Sequence, residues 1–324
     1  MSTSPLAFLF PGQGSQAVGM GKELAENHPV ARETFAAADA ALGYSLSQLC
    51  FQGPEEKLKL TEITQPAILT VSVAAQRVLA ESGIQPQYVA GHSLGEYSAQ
   101  VAAGTLNFAD AVRTVAKRGK YMQEAVPVGV GAMAAILALA LEPLEAACRQ
   151  AAQETGGTAS PANINSPEQI VISGSKAAVE RAAELAKEKG AKRAVMLPVS
   201  APFHCSLMQP AQDRLATDLH AVRFSKPQVP VVTNIHAELV QDAQAARDAL
   251  ISQVTGAVQW VRSIQTLISA GVHTFVEVGP GKVLTGLLRQ IDRSKTGLNV
   301  ENEESLQKTL LALRSKAETQ HAAS

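Results

Sequence analysis

Gly91-His92-Ser93-Leu94-Gly95 is the stretch of this chain whose residue types and spacing could carry nucleophilic chemistry. A serine held at a sharp turn has strained dihedrals and is crowded by its neighbours two positions away, so glycines at those places supply room. Such a turn lifts the Ser93 hydroxyl above a sheet. The Leu94 N–H and the positive end of a following helix would then point to where an oxyanion forms. The flanks fit: Tyr88-Val89-Ala90 is a short apolar run of strand character, and residues 96–103 are helix-forming until Gly104 stops them. Strand, turn, helix is the context of a nucleophile elbow. Read alone, the five residues also fit a strand-to-helix turn with a chance serine.

A serine hydroxyl needs a base within hydrogen-bond reach, usually a histidine oriented by a third group. Of the seven histidines, His92 adjoins Ser93, but neighbours on an elbow point in different directions. His28 and His220 lie in helical contexts, His236 and His273 in turn-like stretches, and His321 near the C-terminus. His204 stands in an extended, proline-containing loop, Ser200-Ala201-Pro202-Phe203-His204, and is the best of these candidates; a structural histidine is the competing reading. Many acids lie between Ser93 and His204 and context marks none of them. A Ser–His pair oriented by a carbonyl or amide stays open.

The bulk numbers exclude several classes. A net charge of −1 and 4% aromatic residues give no electrostatic case for nucleic acid or an anionic membrane. Residues 6–10 are too short for a secretory core and lack a basic leader, and no stretch is long and apolar enough to span a bilayer. Cys50, Cys148 and Cys205 are widely spaced and odd in number, which suits free thiols in a reducing cytosol, not a disulfide framework or a zinc site. A cytoplasmic, unprocessed monomer is expected.

The elements that must position Ser93 and its partners read as α/β. At 324 residues the chain exceeds the usual single core, so a large domain with a smaller one is expected. Residues 6–10 read as a buried strand, and Pro11-Gly12-Gln13-Gly14-Ser15-Gln16 as a loop leading to a helix over 20–26. Gly12-x-Gly14-x-x-Ala17 has the spacing of a dinucleotide fingerprint. Helix continues over 29–35 where a second strand ending in an acid is required, so that reading fails. The loop can still present N–H groups to an anion. Thr64-Gln65-Pro66 begins a core helix reaching residue 82. Asp110 reads as the cap of a helix over 111–122 whose apolar face is Val112, Val115, Ala116 and Gly119. Arg118 lies off that face and reads as a solvated arginine.

From 128 to 199 the grain changes to strand 131–137, helix 142–154, strands 160–165 and 169–173, helix 176–189 and strand 193–198. This β-α-β-β-α-β order is ferredoxin-like. Gly129, Gly131 and Pro198 suit hinges, giving a large domain of 1–127 with 200–313 and an inserted small domain of 128–199. Lys187, Lys189, Lys192 and Arg193 form the small domain's basic cluster and read first as a solvated helix end. Helix 208–221, strand 229–233, helices 245–254 and 260–270, and strand 274–278 follow. Gly279-Pro280-Gly281 reads as a packing turn into a helix over 283–291. A helix over 305–313 precedes a polar tail, 314–324, expected to be flexible.

Four motifs occur in order over nearly the whole chain: Phe10-Pro11-Gly12-Gln13-Gly14-Ser15-Gln16, Gly91-His92-Ser93-Leu94-Gly95-Glu96-Tyr97-Ser98, Pro202-Phe203-His204, and Val276-Glu277-Val278-Gly279-Pro280-Gly281-Lys282. Together they resemble the malonyl-CoA:acyl-carrier-protein transacylases of bacterial type II fatty-acid synthesis and the related acyltransferase domains of polyketide synthases. The resemblance implies an α/β-hydrolase-like core with a parallel sheet and a ferredoxin-like insertion, in agreement with the pattern above. It implies that Ser93 is the acyl-accepting nucleophile, His204 its base, and Arg118 the group that grips the free malonyl carboxylate. The Gln13 and Leu94 N–H groups would form the oxyanion hole, and Gln253 would orient His204 through its backbone carbonyl. Phe203 would narrow the pocket against a branched malonyl group. The implied reaction is a ping-pong transfer from malonyl-CoA, releasing CoA, to acyl-carrier protein, with no metal or redox cofactor. Carrier proteins are strongly acidic, which gives Lys187, Lys189, Lys192 and Arg193 a second reading as a docking surface. The rivals are a serine thioesterase or lipase using the same elbow, a non-catalytic carrier-binding protein, and a stand-alone acyltransferase of a polyketide pathway.

Overall fold

The computed structural model describes residues 5–199 and 201–322, with side chains to residue 315. Ser200, at the start of the His204 loop, Ala323 and Ser324 of the expected tail, and the side chain of His321 lie outside the described residues. β1 (Leu6–Phe10) is an apolar run buried from Ala7 onward. A glycine-bearing loop leads to α1 (Lys22–Asn27) and α2 (Pro29–Leu42), followed by α3 (Leu46–Gln52) and α4 (Glu55–Leu58). α5 (Thr61–Glu81) begins upstream of Thr64-Gln65-Pro66, with Pro66 inside it. Packing of the buried Thr61 and Thr64 offsets the one backbone hydrogen bond that Pro66 removes. Gln65 therefore sits within a packed helix rather than at its end.

β2 (Tyr88–Gly91) turns within three residues into α6 (Gly95–Ala102), and α7 (Phe108–Glu124) follows. The cap of α7 is Asn107, whose side chain accepts a hydrogen bond from the Ala109 N–H at 3.0 Å; Asp110 lies inside the helix. Next come β3 (Gly131–Leu137), α8 (Leu141–Thr155), β4 (Ala159–Ser166), β5 (Gln169–Ser175), α9 (Lys176–Glu188) and β6 (Arg193–Met196). The chain then continues through α10 (Gln209–Ala221), β7 (Val231–Val232), β8 (Leu239–Val240), α11 (Ala243–Ser252), α12 (Trp260–Ser269), β9 (Thr274–Val278), α13 (Val283–Ile291), β10 (Thr296–Val300) and α14 (Glu303–Ala322). The expected tail is thus helical as far as Ala322, because good helix formers continue past Leu313.

The larger sheet has the order β10-β9-β1-β2-β7-β8, parallel except for the β7–β8 hairpin. β10 is a strand the sequence conceals: Gly297 and Asn299 are poor strand formers, and the segment is held by its register against β9. Helices cover both faces, as a parallel sheet requires. Phe8 and Phe10 point into one core with Ile68, Val112 and Val115; Ala7 and Leu9 point into the other with Trp260, Ile264 and Phe275. The smaller sheet, β4-β5-β3-β6, is antiparallel throughout. Ala134, Ile136, Ile170 and Ile172 pack under α8 and α9, while the alternate residues Met133, Ala135 and Val171 face Leu197, Val199 and Phe203.

Backbone contact at a few glycines sets the distances. A Cβ on Gly91 would lie 1.9 Å from the Gly95 carbonyl, one on Gly95 2.0 Å from the Phe10 carbonyl oxygen, and one on Gly12 2.5 Å from that of His92. Gly131, expected as a hinge, is a packing glycine: its Cβ would strike the Pro202 ring at 2.3 Å, so the start of β3 rests on the loop that carries His204. Gly95→Ala is expected to lower stability by about 3 kcal/mol or more, since two backbones must separate. Gly286→Ala, on an exposed face of α13 with nothing near the added carbon, should raise it by about 0.5–1 kcal/mol. Urea unfolding of both variants measures the contrast, and equal effects would mean that backbone contact at Gly95 does not constrain the elbow.

Candidate active site

Ser93 occupies the left-handed region at φ 52°, a strained conformation for a residue with a side chain. Asn234 and Gln253 hold it there. The Ser93 N–H donates to Asn234 Oδ1 at 2.6 Å, the Gln253 amide Nε2 donates to the Ser93 carbonyl at 3.0 Å, and Asn234 Nδ2 donates to the Gly91 carbonyl at 2.6 Å. The elbow is therefore clamped on both sides of the serine. His92 faces away from Ser93. Its Nε2 lies 2.8 Å from Asn165 Oδ1 and its ring packs edge-on to Trp260, which ties the elbow to β4 of the smaller sheet.

Ser93 Oγ lies 2.7 Å from Nε2 of His204. Nδ1 of the same ring is 2.9 Å from the Gln253 carbonyl oxygen and 3.2 Å from that of Gly256. Carbonyls only accept, so Nδ1 carries the hydrogen and Nε2 keeps a lone pair for the serine proton. The third member of this set is a neutral carbonyl, the alternative the sequence left open. Burial, then the Arg118 charge, push the imidazole down from 6.5 to about 3, so it is an uncharged base across the neutral range.

Arg118 is 1% exposed, the opposite of the solvated residue that periodicity suggested. α7 turns it inward because Gly119 lets this helix touch α5: a Cβ on Gly119 would sit 2.5 Å from the Thr61 carbonyl oxygen. The guanidinium donates to Gln65 Oε1 at 2.9 Å, Gln253 Oε1 at 2.9 Å and Ser93 Oγ at 3.3 Å. No carboxylate lies within 4 Å of it among the described residues. Behind Gln253, Glu96 Oε2 accepts from Gln253 Nε2 at 2.7 Å and from the Asn234 N–H at 3.0 Å. Burial raises the Glu96 carboxyl from 4.5 to about 7, against those hydrogen bonds and the Arg118 charge.

These groups open onto a cavity of about 980 Å³ between the two sheets, lined also by Gln13, Leu94, Met133, Asn163 and Phe203. The Gln13 and Leu94 N–H groups have no hydrogen-bond partner among the described residues. Sequence reasoning named Ser93, His204, Arg118, Gln13, Leu94, Gln253 and Phe203; the fold brings six of them to the lining of this cavity and places Gln253 behind it, against Arg118, His204 and the Ser93 backbone. It missed Gln65, Glu96, Asn234 and Asn165. Glu96 stands inside the elbow motif without a role; the signal of the other three is polarity beside stretches that otherwise read as core. Lys187, Lys189, Lys192 and Arg193 are exposed and lie apart from the cavity, between the last turn of α9 and the start of β6, whereas Leu197 just beyond the end of β6 lines it.

Fold and site together are those of an α/β acyltransferase. The acyl transferase domain family matches residues 7–320, and the chain belongs to that family. It is 55% identical over 88% of its length to the malonyl CoA-acyl carrier protein transacylase of Salmonella typhimurium, covering 92% of that protein. Identity is 52% to the protein of the same name from Escherichia coli, over 95% of this chain and 99% of that one. Among solved structures, an acyl carrier protein S-malonyltransferase from Vibrio cholerae superposes with a TM-score of 0.92 at 49% identity, over 94% of this chain and all of that one. A malonyl-transacylase in complex with a type II PKS acyl-carrier protein has a TM-score of 0.92 at 48% identity, over 95% of this chain and 100% of that one.

An imidazole is a base above its pKa, so the downward shift keeps His204 basic into more acid solution. Modification of Ser93 by an uncharged sulfonyl fluoride is expected to stay level from about pH 8 to about pH 5, where an unshifted histidine would lose most of its reactivity. Arg118→Met removes the nearby charge, and its acid limb should move upward. A limb centred near 6.5 in the unsubstituted protein would contradict this account.

Proposed function

We propose that this protein transfers the malonyl group of malonyl-CoA to the phosphopantetheine thiol of acyl-carrier protein through a malonyl-Ser93 intermediate, supplying carrier-bound malonyl units for fatty-acid synthesis. The observation that carries the proposal is Arg118: a buried guanidinium, held only by neutral groups, 3.3 Å from the serine oxygen. An unpaired buried cation is unfavourable, and a carboxylate on the acyl group satisfies it bidentately. An acetyl group leaves it unpaired. The names of the relatives support the same donor and acceptor.

In the proposed cycle Ser93 Oγ attacks the thioester carbonyl as its proton passes to His204 Nε2. The carbonyl oxygen takes the negative charge beside the Gln13 and Leu94 N–H groups, at the positive end of α6. The tetrahedral centre then collapses, the C–S bond breaks, and the imidazolium returns the proton to the CoA sulfur. The carrier thiol enters and reverses these steps. The scheme calls on no metal or redox cofactor. Phe203, on the cavity wall beside His204, disfavours a branch on the malonyl carbon. The exposed Lys187, Lys189, Lys192 and Arg193 offer charge to an acidic carrier; that a carrier is the partner is supported by the complex of a related malonyl-transacylase with its acyl-carrier protein. Three buried free thiols suit a cytoplasmic setting.

Intact-protein mass after brief exposure to malonyl-CoA or acetyl-CoA tests the proposal. A malonyl adduct should form that is absent from Ser93→Ala. Preference for malonyl over acetyl should fall by about 100-fold in Arg118→Ala, the loss expected on removing one member of a buried charge pair. Steady release of CoA without an adduct would make water the acceptor and replace transfer with hydrolysis.

A further inference from the structure

The selectivity proposed for Arg118 depends on what holds it. Each of its three polar partners is uncharged: two glutamine amides and a hydroxyl. Both glutamines are buried, at 1% exposure for Gln65 and 0% for Gln253. The Gln253 amide has its orientation imposed, since Oε1 meets a donor-only guanidinium while Nε2 meets the Glu96 carboxyl and the Ser93 carbonyl. It stands between Glu96 and Arg118 and keeps the carboxyl from pairing with the cation. Gln65 has no such second duty. Its Nε2 reaches only the Met122 sulfur at 3.9 Å, a weak acceptor, so its one strong contact is the guanidinium. Its place in the fold is also specific to this contact, because the approach of α7 to the first turn of α5 at Gly119 is what brings Arg118 alongside it.

A glutamate would fill the same space as Gln65 and offer the same oxygen to Arg118, with a full charge. The guanidinium would then be neutralised from within. Arg118 Nε, buried and without a partner, and the remaining N–H groups would still be available, but an incoming carboxylate would meet a neutral pair instead of a free cation.

We propose that Gln65 is a specificity-determining positioning residue: it orients Arg118 through a neutral oxygen, leaving the charge uncompensated so that the site takes acyl groups bearing a free carboxylate. The inference rests on the reading of Arg118 as the partner of that carboxylate. A carboxylate at position 65 converts the site to one that accepts uncharged acyl groups.

The test compares rates of acyl-enzyme formation from malonyl-CoA and acetyl-CoA in the unsubstituted protein, Gln65→Glu, Gln65→Leu and Arg118→Ala. Gln65→Glu is expected to lower the malonyl-to-acetyl ratio by about 100-fold, the scale of one buried charge pair, through a higher malonyl KM with acetyl transfer kept or increased. Gln65→Leu loosens Arg118 without neutralising it, so both rates should fall while the ratio stays within about tenfold. A purely structural role for Gln65 would move both rates together in both variants. If Arg118→Ala collapses the ratio and Gln65→Glu leaves it intact, the role of Gln65 is overturned. If Arg118→Ala leaves the ratio intact, the underlying reading of Arg118 fails instead. Loss of fold in Gln65→Glu would also count against the proposal, because a carboxylate beside an unpaired guanidinium should raise the midpoint of thermal unfolding.

Discussion

Contact between backbones at the elbow is the constraint on which the rest depends. β2 turns into α6 so tightly that Gly91 and Gly95 touch each other, Gly95 touches the end of β1, and the β1 loop touches the turn through Gly12. No side chain fits at these three places. The consequence is a serine at positive φ whose hydroxyl stands above the carboxyl ends of the parallel strands. Strain of this kind, on the order of 1–3 kcal/mol, persists only when the surroundings over-determine it. Here Asn234 and Gln253 do so, binding the backbone on both sides of Ser93.

One of these two residues also joins geometry to electrostatics. Gln253 supports Ser93 with its amide nitrogen, Arg118 with its amide oxygen and His204 with its backbone carbonyl. A neutral acceptor behind His204 fixes the tautomer, and its pull toward the protonated ring is outweighed by burial and the Arg118 charge. A neutral acceptor beside Arg118 fixes the fork without cancelling its charge. The site thus holds an uncharged base beside a cation that has no ion-pair partner within 4 Å among the described residues, and the cation's charge helps keep the base neutral. Had carboxylates replaced these amides and carbonyls, the imidazole would be driven upward and the cation quenched.

Much of this was legible in one dimension. The strand-turn-helix around Ser93 and the β-α-β-β-α-β order of residues 131–196 followed from hydrophobic period and turn chemistry, which are local properties. Errors arose where tertiary packing overrides local preference. Pro66 reads as a helix start but lies inside α5, Thr296–Val300 contains residues that disfavour strands yet completes the sheet edge, and residues past Leu313 remain helical. Periodicity alone misplaces Arg118 for a related reason: it assigns a charged residue off the apolar stripe to solvent, whereas the motif resemblance puts it in the site, and the contact of α7 with α5 is what buries it.

By itself the sequence determined which groups are available and which turns can be made, because glycine spacing, apolar period and motif order act over a few residues. The fold decided the partners. Gln65, Glu96 and Asn165 come from three separate elements and Asn234 from the loop between β7 and β8, and nothing local marks their pairing, since a hydrogen bond between residues 53 or 138 positions apart leaves no trace in the neighbours of either. Whether a buried charge is quenched or left free depends on which polar groups the packed helices and loops bring within 3 Å of it. That distance exists only in three dimensions.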